Sequence, residues 1–139
     1  MEIKDAIAEA HKTAVEKGFW KTDWNLGEKL MLITSELGEA LEAVRTGKEI
    51  NRTQFDLEIQ EAWENFSTKS ATPITFEEYT SKFVKSFENN IKDSFEDEMA
   101  DAAIRLFDLA GKMNVDLDYH IRKKMDYNKT RAILHGKKF

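Results

Sequence analysis

The chain has no cysteine. That excludes a disulfide framework, a thiolate nucleophile and cysteine-ligated zinc, so any metal must be held by oxygen or imidazole. It agrees with a reducing, cytoplasmic setting. Proline occurs once, at Pro73, and the six glycines are scattered, with no G-x-x-x-x-G-K run to cradle a phosphate. No apolar stretch is long enough for a bilayer, and no basic start is followed by an apolar run, so neither membrane insertion nor export is expected. Histidine is scarce as well. Residues three before His11, His120 and His135 are Ala8, Leu117 and Ala132, which removes the Glu-x-x-His pairs of a di-iron bundle.

What remains is charge and helical periodicity. The 139 residues fit one domain, 1–139, with 34% charged and 41% hydrophobic residues, the balance of a soluble helix-rich fold. A net charge of −5 argues against general nucleic-acid binding. The charge is uneven, however: residues 121 to 139 hold seven Lys or Arg against one acid, Asp126.

Helix signals follow one another along the chain. Ile3, Ile7, Ala10, Ala14 and Val15 predict a helix over 2–17, ended by Gly18. Asn25 and Glu28 have capping-box spacing before a stripe of Leu30, Ile33, Leu37, Leu41 and Val44, which predicts a helix over 26–46 with Gly47 after it. Residues 48–74 are less periodic and read as an insertion or irregular helical arm. Thr75 and Glu78 repeat the capping spacing before a helix over 76–90, whose end Asn89 and Asn90 are expected to loosen. Met99, Ala103, Leu106 and Ala110 predict a helix over 95–110 that stops at Gly111, and a last helix is expected over 117–130. The fold class is therefore all-α, a bundle of about five helices.

Two carboxylate pairs carry the chemistry. Glu36 and Glu39 lie at i and i+3, about 60° apart around the helix axis, so they can reach one point. One such pair is ordinary solvated helix surface. The arrangement recurs at Glu98 and Asp101, beside apolar Met99, Ala102 and Ile104. Four acids converging between helices repel one another unless divalent cations neutralise them, and oxygen-only donors favour Mg²⁺, with Mn²⁺ as the alternative. The C-terminal helix adds Lys124 and Asn128 at i and i+4 and Arg131 at i+7, a stripe of cation, amide and guanidinium suited to a polyphosphate. Trp20 and Trp24, ahead of the first acidic helix, are candidates for stacking on a base, although aromatics at helix junctions more often serve the core.

Together these residues resemble the MazG-like, all-α nucleoside triphosphate pyrophosphohydrolase superfamily, marked by Glu-x-x-Glu and a later Glu-x-x-Asp. Here the motifs are Glu36-Leu37-Gly38-Glu39 and Glu98-Met99-Ala100-Asp101. The likeness extends through Glu28 to Ile33, Ala103 to Gly111, Lys124 to Arg131, and His135-Gly136-Lys137-Lys138. It leaves out residues 48–94, and the 58 residues from Ala40 to Asp97 separate the motifs more widely than is typical of the family.

The resemblance implies a four-helix core with an inserted arm and a Mg²⁺-dependent hydrolysis between the α and β phosphates of a (deoxy)nucleoside triphosphate, giving monophosphate and pyrophosphate in nucleotide-pool house-cleaning. It implies Glu36, Glu39, Glu98 and Asp101 as catalytic and metal-holding residues. Lys124, Asn128 and Arg131 are implied as phosphate-binding, with Arg105 and Trp24 as further substrate-binding candidates; Glu42, which continues the i+3 series from Glu39, is a minor candidate for an additional metal ligand. It also implies a homodimer or homotetramer, to which Phe55, Trp63, Phe76, Tyr79, Phe83 and Phe87 of the arm are candidates to contribute, with completion of the monomer's own core as their equal alternative. Two rivals stand beside this reading: a non-catalytic nucleotide-binding or interaction module of the same fold, and a related pyrophosphohydrolase acting on phosphoribosyl-ATP.

Overall fold

In a computed structural model, residues 1–67 and 72–133 are described. Among them six helices and no strand occur: α1 (Ile3–Glu16), α2 (Leu26–Thr46), α3 (Arg52–Phe66), α4 (Phe76–Asn90), α5 (Phe95–Lys112) and α6 (Leu117–Lys129). The protein is thus all-α. No helix among the described residues is long and apolar enough to cross a membrane. His135, Gly136, Lys137 and Lys138 lie outside the described residues.

Local chemistry sets most helix ends. The Asn25 side chain accepts the Glu28 N–H at 3.1 Å, satisfying one of the free donors at the start of α2. Thr75 and Glu78 form a reciprocal capping box: Thr75 Oγ1 accepts from the Glu78 N–H at 3.2 Å while the Thr75 N–H donates to Glu78 Oε2 at 2.7 Å. Gly18 and Gly47, at φ of +86° and +69°, take left-handed conformations after α1 and α2.

The segment expected to be irregular contains a regular 15-residue helix, α3. The Asn51 side chain starts it by accepting the Gln54 N–H at 3.1 Å. Its inner face then packs against α4 through aromatic rings, with Phe55 5.7 Å from Phe83 and Trp63 5.8 Å from Tyr79 between centroids. The Asn51 N–H donates to the Asn90 carbonyl at 2.8 Å, so the start of α3 meets the end of α4 in an antiparallel hairpin. Asn90 does not loosen that end: it is buried and its side-chain amide donates to Glu58 Oε2 and the Ser86 carbonyl.

The chain divides into two compact units, residues 31–102 and residues 1–30 with 103–139. The first holds the α3–α4 hairpin and both acidic motifs. In the second, α1 packs on α6, and His11 Nδ1 and the Trp20 indole N–H both meet Asp108 Oδ1, at 2.8 and 2.9 Å. Gly111 explains how His11 comes so close. A Cβ at Gly111 would stand 2.7 Å from the His11 Cβ, so this glycine serves helix contact inside α5 and does not end the helix. Termination falls instead to Asn114 at φ +52°, a residue type that tolerates the left-handed region.

Apolar burial departs from the sequence pattern. Among the described residues the buried apolar set is seven alanines and Leu109. Leu37, Leu41 and Val44 of the α2 stripe are 48 to 60% exposed, and Leu30 is also exposed. The buried face of α2 is formed by Glu36, Ala40 and Ala43.

Candidate functional site

Glu36 on α2 and Glu98 on α5 are each 5% exposed. With exposed Asp101, one turn after Glu98, they form a cluster in which one carboxylate oxygen from each lies within 4.8 Å of the others. Oxygens sharing one hard cation lie at most about 4 to 5 Å apart, given bond lengths of roughly 2.0 to 2.6 Å, so this spacing can accommodate a cation. Ala40, Ala43 and Ala102 are also buried on the same two helices.

The start of α5 aims Glu98 inward. Ser94, fully buried, accepts the Asp97 N–H at its hydroxyl, 3.2 Å, and Asp97 Oδ2 accepts the Asp93 N–H at 3.0 Å. These bonds fix the first turn, and the Glu98 N–H closes it on the Ser94 carbonyl at 3.0 Å. Ser94 was not among the expected site residues. Its signal was the Ser-x-x-Asp spacing to Asp97, a capping pattern.

Electrostatics within the cluster act on Glu98. The Glu98 carboxyl is held above the usual carboxylate range, first by burial and then by Glu39, Asp101, Glu36 and Asp97. Loss of water and like charge both disfavour its ionised form.

Of the four acids expected to hold metal, three therefore share the cluster. Glu39 acts on Glu98 through its charge but stands outside the 4.8 Å set; it is exposed and accepts a long hydrogen bond from the Ser35 hydroxyl at 3.4 Å. Glu42 points to the surface and pairs with Arg45 at 3.6 Å.

The remaining candidates belong to the other unit. Lys124, Asn128 and Arg131 are exposed, and the Tyr127 ring gathers the two cations, with Lys124 Nζ 5.0 Å and Arg131 Cζ 5.8 Å from its centroid. Arg131 is not on the helical stripe that its spacing suggested. α6 ends at Lys129 with Thr130 as its cap, and the Arg131 N–H turns back to the Asn128 carbonyl at 3.2 Å. Arg105 is exposed on α5. Trp20 is held by Asp108 and by an edge contact with Trp24 at 5.3 Å, which leaves Trp24 the more exposed of the two. Lys29 and Lys112 place their ammonium groups 4.5 and 5.0 Å from the Trp20 ring.

Comparisons with protein-family models, with characterised proteins and with solved structures found no match to this chain.

Proposed function

We propose that the protein is a Mg²⁺-dependent nucleoside triphosphate pyrophosphohydrolase, the activity its motifs resemble. The observation that carries this reading is the cluster of Glu36, Glu98 and Asp101, in which burial and the neighbouring carboxylates hold Glu98 above its usual range. An all-oxygen donor set of this kind fits Mg²⁺, or Mn²⁺.

Glu36, Glu98 and Asp101 would hold the metal, with Glu39 beside them. When bound, the ion supplies charge stabilisation at phosphate oxygens and a lowered pKa for coordinated water. The chain's own groups do the rest. Water adds to the α phosphorus, the bond to the β-bridging oxygen breaks, and pyrophosphate departs with that oxygen. One of the glutamates accepts the proton of the attacking water; Glu39, exposed and outside the tight set, suits this role. Lys124, Asn128, Arg131 and Arg105 carry the amide and cationic groups that the motif resemblance assigns to phosphate, where such donors stabilise the negative charge that grows as pyrophosphate leaves. Trp24 offers an exposed ring to the base.

The protein acts as a homo-oligomer in this reading. Leu37, Leu41 and Val44 form a contiguous apolar face that a single chain leaves half-exposed, and a second copy covering it removes that surface from water.

Product analysis tests the reaction: a panel of ribo- and deoxyribonucleoside triphosphates with Mg²⁺ should yield monophosphate and pyrophosphate, and Glu98→Gln should abolish both products. Absence of turnover on every triphosphate would leave a binding module in place of an enzyme.

A further inference from the structure

Trp20 stands at the centre of a cluster of fixed groups in the unit that holds α1, the start of α2 and the later part of α5. Its indole N–H donates to Asp108 Oδ1 at 2.9 Å, and the same oxygen meets His11 Nδ1 at 2.8 Å. The His11 ring lies 5.8 Å from the indole in an edge contact, and Trp24 lies 5.3 Å away with its plane turned by 83°. Asp108 thus fixes one indole, against which the second packs.

Two ammonium groups gather on the fixed ring. Lys29 Nζ is 4.5 Å and Lys112 Nζ 5.0 Å from the Trp20 centroid, and Lys112 Nζ is also 6.0 Å from that of Trp24. The two nitrogens can stand no further apart than their distances to the shared ring taken together. Among the described residues neither lysine is in an ion pair. An aromatic face attracts a cation without neutralising it, and two cations held by one ring repel each other. Asp108, the acid in this cluster, is engaged by His11 and the indole N–H.

Helix position accounts for one of these lysines and not for the other. Lys112 is the last residue of α5, where the helix dipole favours a cation; Lys29 closes the first turn of α2, where the dipole disfavours one. Lys29 is nevertheless half-buried. A side chain that breaks a local rule and brings its charge beside a second cation is the kind of inconsistency that marks a functional position.

We propose that Lys29 and Lys112, seated on Trp20, form a metal-independent binding site for a diphosphate group, free or carried by a nucleotide. A diphosphate spreads its charge over two phosphorus centres, so each ammonium can serve one of them with a charge-assisted, rotatable donor. The site makes no use of the acidic cluster, so it stands whether or not the protein is a pyrophosphohydrolase.

The indoles report on the site directly. Trp63→Phe leaves Trp20 and Trp24 as the only tryptophans. In that background, with EDTA present and ionic strength held constant, titration with pyrophosphate should change indole emission saturably. Sulfate, with a single tetrahedral centre, should bind several-fold more weakly. Lys29→Gln and Lys112→Gln should each raise the pyrophosphate Kd by about tenfold, the loss of one charge-assisted bond, while Lys12→Gln, on α1, should leave it unchanged. ADP run in the same way assigns the source: tighter binding than pyrophosphate identifies a nucleotide, weaker binding the free anion. No saturable response to either probe, equal Kd values in the parent and both lysine variants, or an equal loss in Lys12→Gln overturns the site. Circular dichroism of each variant confirms that the helices persist.

Discussion

Glu36 and Glu98 are buried in one acidic cluster although they come from different helices, and Glu36 is one of four carboxylates whose charge raises the Glu98 titration. Burial of like charges stores repulsion that a divalent cation would relieve. Saturating Mg²⁺ is therefore expected to raise the melting temperature, with a gain of about 2.7 kcal/mol at a hundredfold excess over its Kd. Glu98→Gln should reduce that shift, and in chelator it should melt higher than the native chain. Differential scanning fluorimetry with Mg²⁺ and with EDTA checks both signs.

The pH dependence follows from the same residue. Because folding raises the Glu98 titration, the folded state favours its protonated form. Its contribution to stability is therefore fully present below the unfolded value of about 4.3 and is lost as pH climbs through the raised folded value. In urea titrations with EDTA, the stability advantage of Glu98→Gln should grow across that window and then level off. An advantage that is constant with pH would contradict the assignment.

Two glycines should respond in opposite directions to the same substitution. Gly111→Ala places a methyl 2.7 Å from the His11 Cβ and is expected to destabilise the protein by about 1 to 3 kcal/mol through overpacking. Gly38→Ala meets nothing within 4 Å on α2 and should stabilise by roughly 0.5 to 1 kcal/mol, the helix preference of alanine over glycine. Chemical denaturation of the two variants reads the contrast.

Thr75→Ala removes the acceptor for the Glu78 N–H and one half of the capping box. A loss of about 1 kcal/mol is expected, with faster amide exchange confined to the first turn of α4. Hydrogen exchange by NMR locates the effect, which a change spread evenly over the hairpin would contradict.

The legible parts of this protein are those governed by neighbours in sequence. Asn25 with Glu28, Thr75 with Glu78, and the two acid pairs each act over three residues, so spacing alone reveals them. What spacing does not reveal depends on distant groups or on a single local choice. Asp108 receives His11 from 97 residues away, and nothing in the helix period of α5 announces it. Gly111 looked like a terminator because its use, contact with His11, is likewise non-local. The cap at Asn51 acts over three residues as well, but the polar run after it obscures the aromatic face it starts. Arg131 leaves the stripe because α6 ends at Lys129, two residues short of it, with Thr130 as the cap. The α2 pattern misled most: period identifies an apolar stripe but not whether the chain's own helices cover it.

The interior of alanines has a consequence for how the protein unfolds. Burying a methyl group freezes no rotamers, so these contacts cost little side-chain entropy, but they also remove little apolar surface from water. Heat-capacity change and denaturant m-value both scale with the surface newly exposed. With alanines dominating the fully buried apolar set among the described residues, a single chain should therefore melt with a shallow denaturant slope and a flat stability curve, changing little with cooling and giving way over a broad range of urea.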